Sequence, residues 1–113
     1  YNANPSSMKE ALESFEQMEA PGKIAILGDM LELGNASFEE HLLIALKLKQ
    51  MNFEQVVLVG NAFAEVKDKL DCLHFTDNTG AREWFTAQNF KNKTFLLKGS
   101  RGIALERIVQ QES

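Results

Sequence analysis

One cysteine, two histidines and two prolines in 113 residues remove several kinds of protein at once. Cys72 has no second cysteine to pair with, so an internal disulfide framework is excluded. Without a cysteine–histidine cluster, a structural zinc site is excluded too. Apolar runs end after about five residues, far short of the roughly twenty that cross a bilayer. The opening residues do not read as a signal peptide. Together these features predict a soluble domain of a reducing compartment, with no membrane partner. Positive charge is also scarce: 12 Lys and Arg stand against 16 Asp and Glu, a formal net charge of -4. A chain without basic excess is not built to neutralise a phosphate backbone, so no nucleic-acid partner is expected.

What is present is ordinary globular material. Hydrophobic residues make up 44% and charged residues 25%, enough to bury a core and of the right length for one domain. The chain starts in a polar, turn-rich segment, Tyr1 to Ser7. Asn4 before Pro5 disfavours helix at Asn4 and makes Pro5 a natural first-turn residue. In an alternating fold such a loop follows a strand, so a strand upstream of Tyr1 is expected in the native protein. Met8, Ala11, Leu12, Phe15 and Met18 recur at helical spacing, and Pro21-Gly22 ends that helix.

Short apolar runs then alternate with helical patterns. The runs are KIAIL (23–27), QVVLV (55–59), a weaker LHF (73–75) and TFLL (94–97). Ser37-Phe38-Glu39-Glu40 reads as a capping box opening a helix to about Met51, with Phe38, Leu42, Ala45 and Leu46 on one face. A short helix runs through Phe63, Val66 and Leu70. Thr79 is expected to cap a helix holding Ala81, Trp84, Phe85 and Ala87, and a last helix uses Ala104, Leu105, Ile108 and Val109. Continuous apolar strands between helices imply burial on both faces and parallel pairing through right-handed crossovers. The expected fold is therefore α/β: a Rossmann-like three-layer sandwich, a mainly parallel sheet with helices on both faces, occupying 1–113.

Ligands of open α/β sheets bind at the carboxyl ends of the strands. Three places on that edge carry more than turn chemistry. Asn2-Ala3-Asn4-Pro5-Ser6-Ser7 opens a helix, where free amides suit an anion or simply an Asx turn and cap. Gly28-Asp29-Met30-Leu31-Glu32-Leu33-Gly34 puts two carboxylates after a strand, able to grip an ammonium or to stay solvated in a tight turn. Lys98-Gly99-Ser100-Arg101-Gly102 brings cations and a hydroxyl beside glycines, suited to a carboxylate or phosphate or to an exposed loop. No G-x-x-x-x-G-K-[ST] phosphate loop is present. His41 is expected to be a partly exposed helical residue, His74 to face outward or pack at a strand end, and Cys72 to be a small core or edge residue.

YNANPSSM (1–8), ILGDMLELG (26–34) and LLKGSRGIALERIV (96–109) together resemble, in order and spacing, the C-terminal domain of the Mur ligases. The resemblance covers essentially the whole chain. It implies one part of a three-domain bacterial cytoplasmic enzyme of peptidoglycan synthesis, whose N-terminal and central domains lie elsewhere in the same chain. Within the family the blocks are most similar to the branch that joins D-alanyl-D-alanine to UDP-N-acetylmuramoyl-tripeptide. It implies ATP and Mg2+ as cofactors, bound mainly by the central domain, and no catalytic or metal-binding residue in this domain alone. By the same resemblance, Tyr1, Asn2 and Asn4 are expected at the nucleotide or acyl phosphate. Lys98, Ser100 and Arg101 are expected at the dipeptide carboxylate, and Asp29 and Glu32 at its ammonium or in orienting the loop. The alternatives are a folate-type (folylpolyglutamate-like) ligase domain, a stand-alone flavodoxin-like binding module, and a structural domain serving an oligomer interface.

Overall fold

A computed structural model describes residues 3–110. Helix α1 (Pro5–Gln17) starts where its residues direct. The Asn4 side chain accepts from the Ser7 amide at 2.9 Å, and the Ser7 hydroxyl accepts from the Asn4 amide at 3.1 Å. Pro5 sits in the first turn, where a missing N–H breaks nothing. Met8, Leu12 and Phe15 face inward. A cation closes the other end: Lys23 Nζ donates to the carbonyls of Phe15, Glu16 and Met18 at 3.0, 2.7 and 2.9 Å. Those are acceptors at the negative end of the helix dipole.

The strands are β1 (Lys23–Gly28), β2 (Gln55–Val59), β3 (Leu73–Phe75) and β4 (Thr94–Lys98). All neighbouring strands pair in parallel, in the order β3-β2-β1-β4. The chain steps outward from β1 to β3 through α2 (Ser37–Lys49) and α3 (Asn61–Ala64). It then returns past β1 to β4 through α4 (Asn78–Gln88), and α5 (Glu106–Val109) follows. The expected three-layer α/β sandwich is what the chain forms.

Alternation along the strands divides the core in two. Leu27 and Leu58 join Met8, Leu12, Ile44, Leu48 and Phe63 under α1, α2 and α3. Ile24, Ile26, Val57 and Val59 join Ala81 and Ile108 under α4 and α5. On that second face Phe75, Trp84, Phe90, Phe85 and Phe95 form a chain of ring contacts with centroids 5.2–6.0 Å apart. Each fully buried Leu, Ile or Val of the two clusters contributes about 1.5–3 kcal/mol over its exposed state.

Four local expectations are corrected. Ser37 does not cap α2: it lies inside the helix, and the cap position, Ala36, is the last residue of a 3₁₀ turn and makes no side-chain bond. The buried stripe of α2 is His41, Ile44, Ala45 and Leu48, whereas Phe38 and Leu46 are exposed. The cap of α4 is Asp77, whose carboxylate accepts from the Thr79 and Gly80 amides. The final helix is broken: Arg101–Ile103 is a 3₁₀ turn, Ala104 is left-handed at φ 53, and α5 is only four residues long.

Candidate functional site

Where the strand order of a doubly wound sheet reverses, adjacent strands send their chains to opposite faces and a crevice opens at the carboxyl ends. In the order β3-β2-β1-β4 that place lies between β1 and β4. The chain leaves β1 toward α2 on one face and leaves β4 toward α5 on the other. The strand ends are level, because Leu27 pairs with both Leu58 and Lys98, and Val59 pairs with Phe75. They are also very close: a Cβ on Gly99 would stand 2.8 Å from the Gly28 Cα. Only glycine permits that approach.

Ser100 ties the crevice together. It is 1% exposed. Its amide donates to the Asp29 carbonyl at 3.0 Å. Its hydroxyl accepts from the Leu31 amide at 2.8 Å and reaches the Ala3 carbonyl at 3.5 Å. The three polar turns singled out in the sequence therefore meet through one residue. Lys98 and Arg101 flank Ser100 along a depression of about 600 Å³ that also includes Gly99, Leu105 and Glu106. Cationic and carboxylate chemistry thus share one wall. The expectation of a helix N-terminus at Arg101 gives way to the 3₁₀ turn described above.

Asp29 is placed differently from Ser100. It is 4% exposed, and its two carboxylate oxygens accept from the Ala62 and Phe63 amides, each at 2.9 Å. Those amides begin α3, so Asp29 supplies the acceptor that α3 has no side chain of its own to provide. Gly60 makes the room: a Cβ there would lie 2.3–2.5 Å from the Asp29 carboxylate atoms, and its φ is +123. Glu32, by contrast, is exposed and left-handed at φ 64. Asn4 is exposed with its side-chain oxygen engaged in the cap. Tyr1 and Asn2 lie outside the described residues.

Two histidines carry more of this rim than their sequence positions suggested. His41, expected to be partly exposed, is 0% exposed. Its Nδ1 faces the Ser37 carbonyl at 2.7 Å, and its Nε2 accepts from the Met30 amide at 3.0 Å. A carbonyl only accepts and an amide only donates, so the ring is neutral with its proton on Nδ1. Phe63 packs edge-on against it at 4.6 Å. His74 Nε2 donates to the Gly60 carbonyl at 2.7 Å. The signal for His41 was its i, i+3, i+4, i+7 spacing with Ile44, Ala45 and Leu48. Burial first, and then the Asp71 and Asp68 carboxylates, push the half-buried Cys72 thiol up from its ordinary value.

Among the described residues no group of three His, Cys, Asp or Glu is placed to hold a metal ion. Asp29, the buried acid of the rim, has both oxygens committed to amides. The described residues do not fit a magnesium site of their own. No described helix is long and apolar enough to cross a membrane.

The family model described as Mur ligase, glutamate ligase domain, matches residues 1–101. Curated relatives named UDP-N-acetylmuramoyl-tripeptide–D-alanyl-D-alanine ligase are 35% identical in Rickettsia prowazekii and 32% identical in Bacillus subtilis, over 96% and 97% of this chain. The chain spans 25% and 26% of those relatives' lengths. A crystal structure of MurF from Acinetobacter baumannii superposes with TM-score 0.77 at 30% identity, covering 96% of this chain and 25% of that one. MurF from Thermotoga maritima in complex with ADP gives TM-score 0.77 at 25% identity, with the same coverage.

Proposed function

This chain belongs to the Mur ligase family, and from that premise we propose that it is the C-terminal domain of an ATP-dependent ligase joining D-alanyl-D-alanine to UDP-N-acetylmuramoyl-tripeptide. The observation that carries this is the meeting of residues 3, 29–31 and 98–101 at the β1–β4 crevice through Ser100. Such a rim is half of a cleft, and the other half belongs to the domains that the relatives' greater length accommodates.

The reaction runs in two steps. A tripeptide carboxylate oxygen attacks the γ-phosphorus of ATP, giving an acyl phosphate and ADP. The dipeptide amine then attacks the acyl carbon, the tetrahedral intermediate expels phosphate, and the amine proton is lost to leave an amide. By the family resemblance, ATP and Mg2+ are assigned mainly to the central domain; this chain carries no phosphate-cradling loop. The role of the present residues is to bind the dipeptide, orient it and keep water from a hydrolysable intermediate. Arg101 and Lys98 are assigned to the dipeptide carboxylate, Glu32 to its ammonium, and Asn4, with Tyr1 and Asn2, to the nucleotide or acyl-phosphate side. Asp29 and Ser100 act by holding the turns in register. By the same reading the enzyme works in the bacterial cytoplasm. A strand preceding Tyr1 fits on the outer edge of β4, whose residues are all only half-buried. A right-handed crossover through α1 leads from that edge to β1.

The test is Arg101→Ala in the full-length enzyme. Loss of one charge-assisted contact costs roughly 1.5–3 kcal/mol, so the dipeptide KM should rise about tenfold or more while the ATP KM changes little. An unchanged dipeptide KM removes Arg101 from the site.

A further inference from the structure

Three consecutive amides leaving β1 are each taken by a different part of the fold. Asp29 N–H donates to the Val59 carbonyl at 3.0 Å, Met30 N–H to His41 Nε2 at 3.0 Å, and Leu31 N–H to Ser100 Oγ at 2.8 Å. The first and third anchors come from neighbouring strand ends. The second comes from α2, a full helix layer away, and is a buried side chain whose own orientation is set by the Ser37 carbonyl. Immediately after this pinned tripeptide the chain turns left-handed at Glu32, φ 64. A non-glycine residue in that conformation costs about 1 kcal/mol and persists only where its surroundings dictate it. Glu32 and Leu31 are both exposed, and Leu31 lies beside Gly102 of the turn after β4.

We propose that His41 is a positioning residue for the incoming dipeptide: through Met30 it fixes the direction of the 29–34 turn, and so the place where Glu32 meets the dipeptide ammonium. This rests on the ligase function proposed above. His41 touches no substrate itself. Its contribution is geometric, since rotating the Met30 peptide away from Nε2 would also withdraw the Leu31 amide from Ser100. The Met30 and Leu31 amides, and with them the turn that follows, therefore depend in part on a ring that faces the interior.

Conservative variants separate this from simple core packing. In His41→Gln the terminal amide can place an acceptor near the Nε2 position, keeping the Met30 bond and losing the Nδ1 donor. In His41→Asn the amide stops near the Nδ1 position, keeping the Ser37 partner and losing the Met30 bond. Both remove the ring and its Phe63 contact, so both should lower the melting temperature alike. In the full-length enzyme we expect His41→Asn to raise the dipeptide KM at least tenfold with the ATP KM within twofold. His41→Gln should stay within about threefold on both. Amide hydrogen exchange of the 29–34 segment, measured on the same proteins without ligands, should accelerate at least tenfold in His41→Asn and much less in His41→Gln. Equal KM values for the two variants overturn the proposal, and so does unchanged exchange in His41→Asn. If wild-type enzyme shows no dipeptide-dependent ADP release, the ligase function fails separately. The exchange data still decide whether His41 fixes the turn.

Discussion

At the scale of single residues the rim is held by small, specific exclusions. Gly60 has no substitute: its φ of +123 is foreign to other L-residues, and any Cβ would occupy the space of the Asp29 carboxylate. Gly60→Ala combines backbone strain with overpacking, so it should destabilise the chain by about 2–4 kcal/mol. Chemical denaturation followed through Trp84, the one tryptophan, measures this, and a cost under about 0.5 kcal/mol would contradict the geometry. Much at this scale was legible beforehand, because a glycine after a buried strand signals a backbone that needs freedom. For His41 the spacing with Ile44, Ala45 and Leu48 placed the ring on a buried stripe, but how a polar ring is satisfied there depends on partners distant in sequence, Met30 and Phe63.

Elements obey the same physics with longer reach. The apolar runs identified all four strands to within a residue or so, since strands covered on both faces have no polar side to mislead. The stripe of α2 was misplaced because Phe38, Leu42 and Leu46 also fit helical periodicity once His41 is left out of the count. The cap of α4 fell on Asp77 rather than Thr79, two competent caps standing two residues apart. The break at Ala104 had no sequence signal. It is stabilised by Asn78 Nδ2, which donates to the Ile103 and Ala104 carbonyls at 2.8 and 3.2 Å. Lys23 shows how one element is finished by another, a β1 side chain closing α1. Lys23→Met keeps the stem and removes the three donors, so a loss of about 1–2 kcal/mol is expected. The same denaturation experiment reads it, and an unchanged midpoint would show that water serves those carbonyls equally well.

For the molecule as a whole, strand order was the information the sequence withheld. Alternating strands and helices imply parallel pairing, but many orders satisfy it. The return from β3 to β4 past β1 is decided by which face each helix can cover. That return creates the crevice, places Gly28 against Gly99, and brings residues 3, 31 and 100 within hydrogen-bonding reach. Among the described residues the opposite rim has no comparable convergence of polar side chains around buried anchors. It holds the Lys23 cap of α1 and the Lys93–Glu54 ion pair at 2.8 Å, which tie elements together. If the carboxyl rim is the half-cleft of a ligase, substrates should quiet that rim alone. Amide hydrogen exchange on the full-length enzyme, with a non-hydrolysable ATP analogue, the UDP-linked tripeptide and D-alanyl-D-alanine together, measures this directly. Exchange should slow severalfold in segments 29–34 and 98–103 and stay unchanged in 18–23, 50–55 and 89–94. Slowing confined to the second set, or none in the first, would contradict the placement of the site.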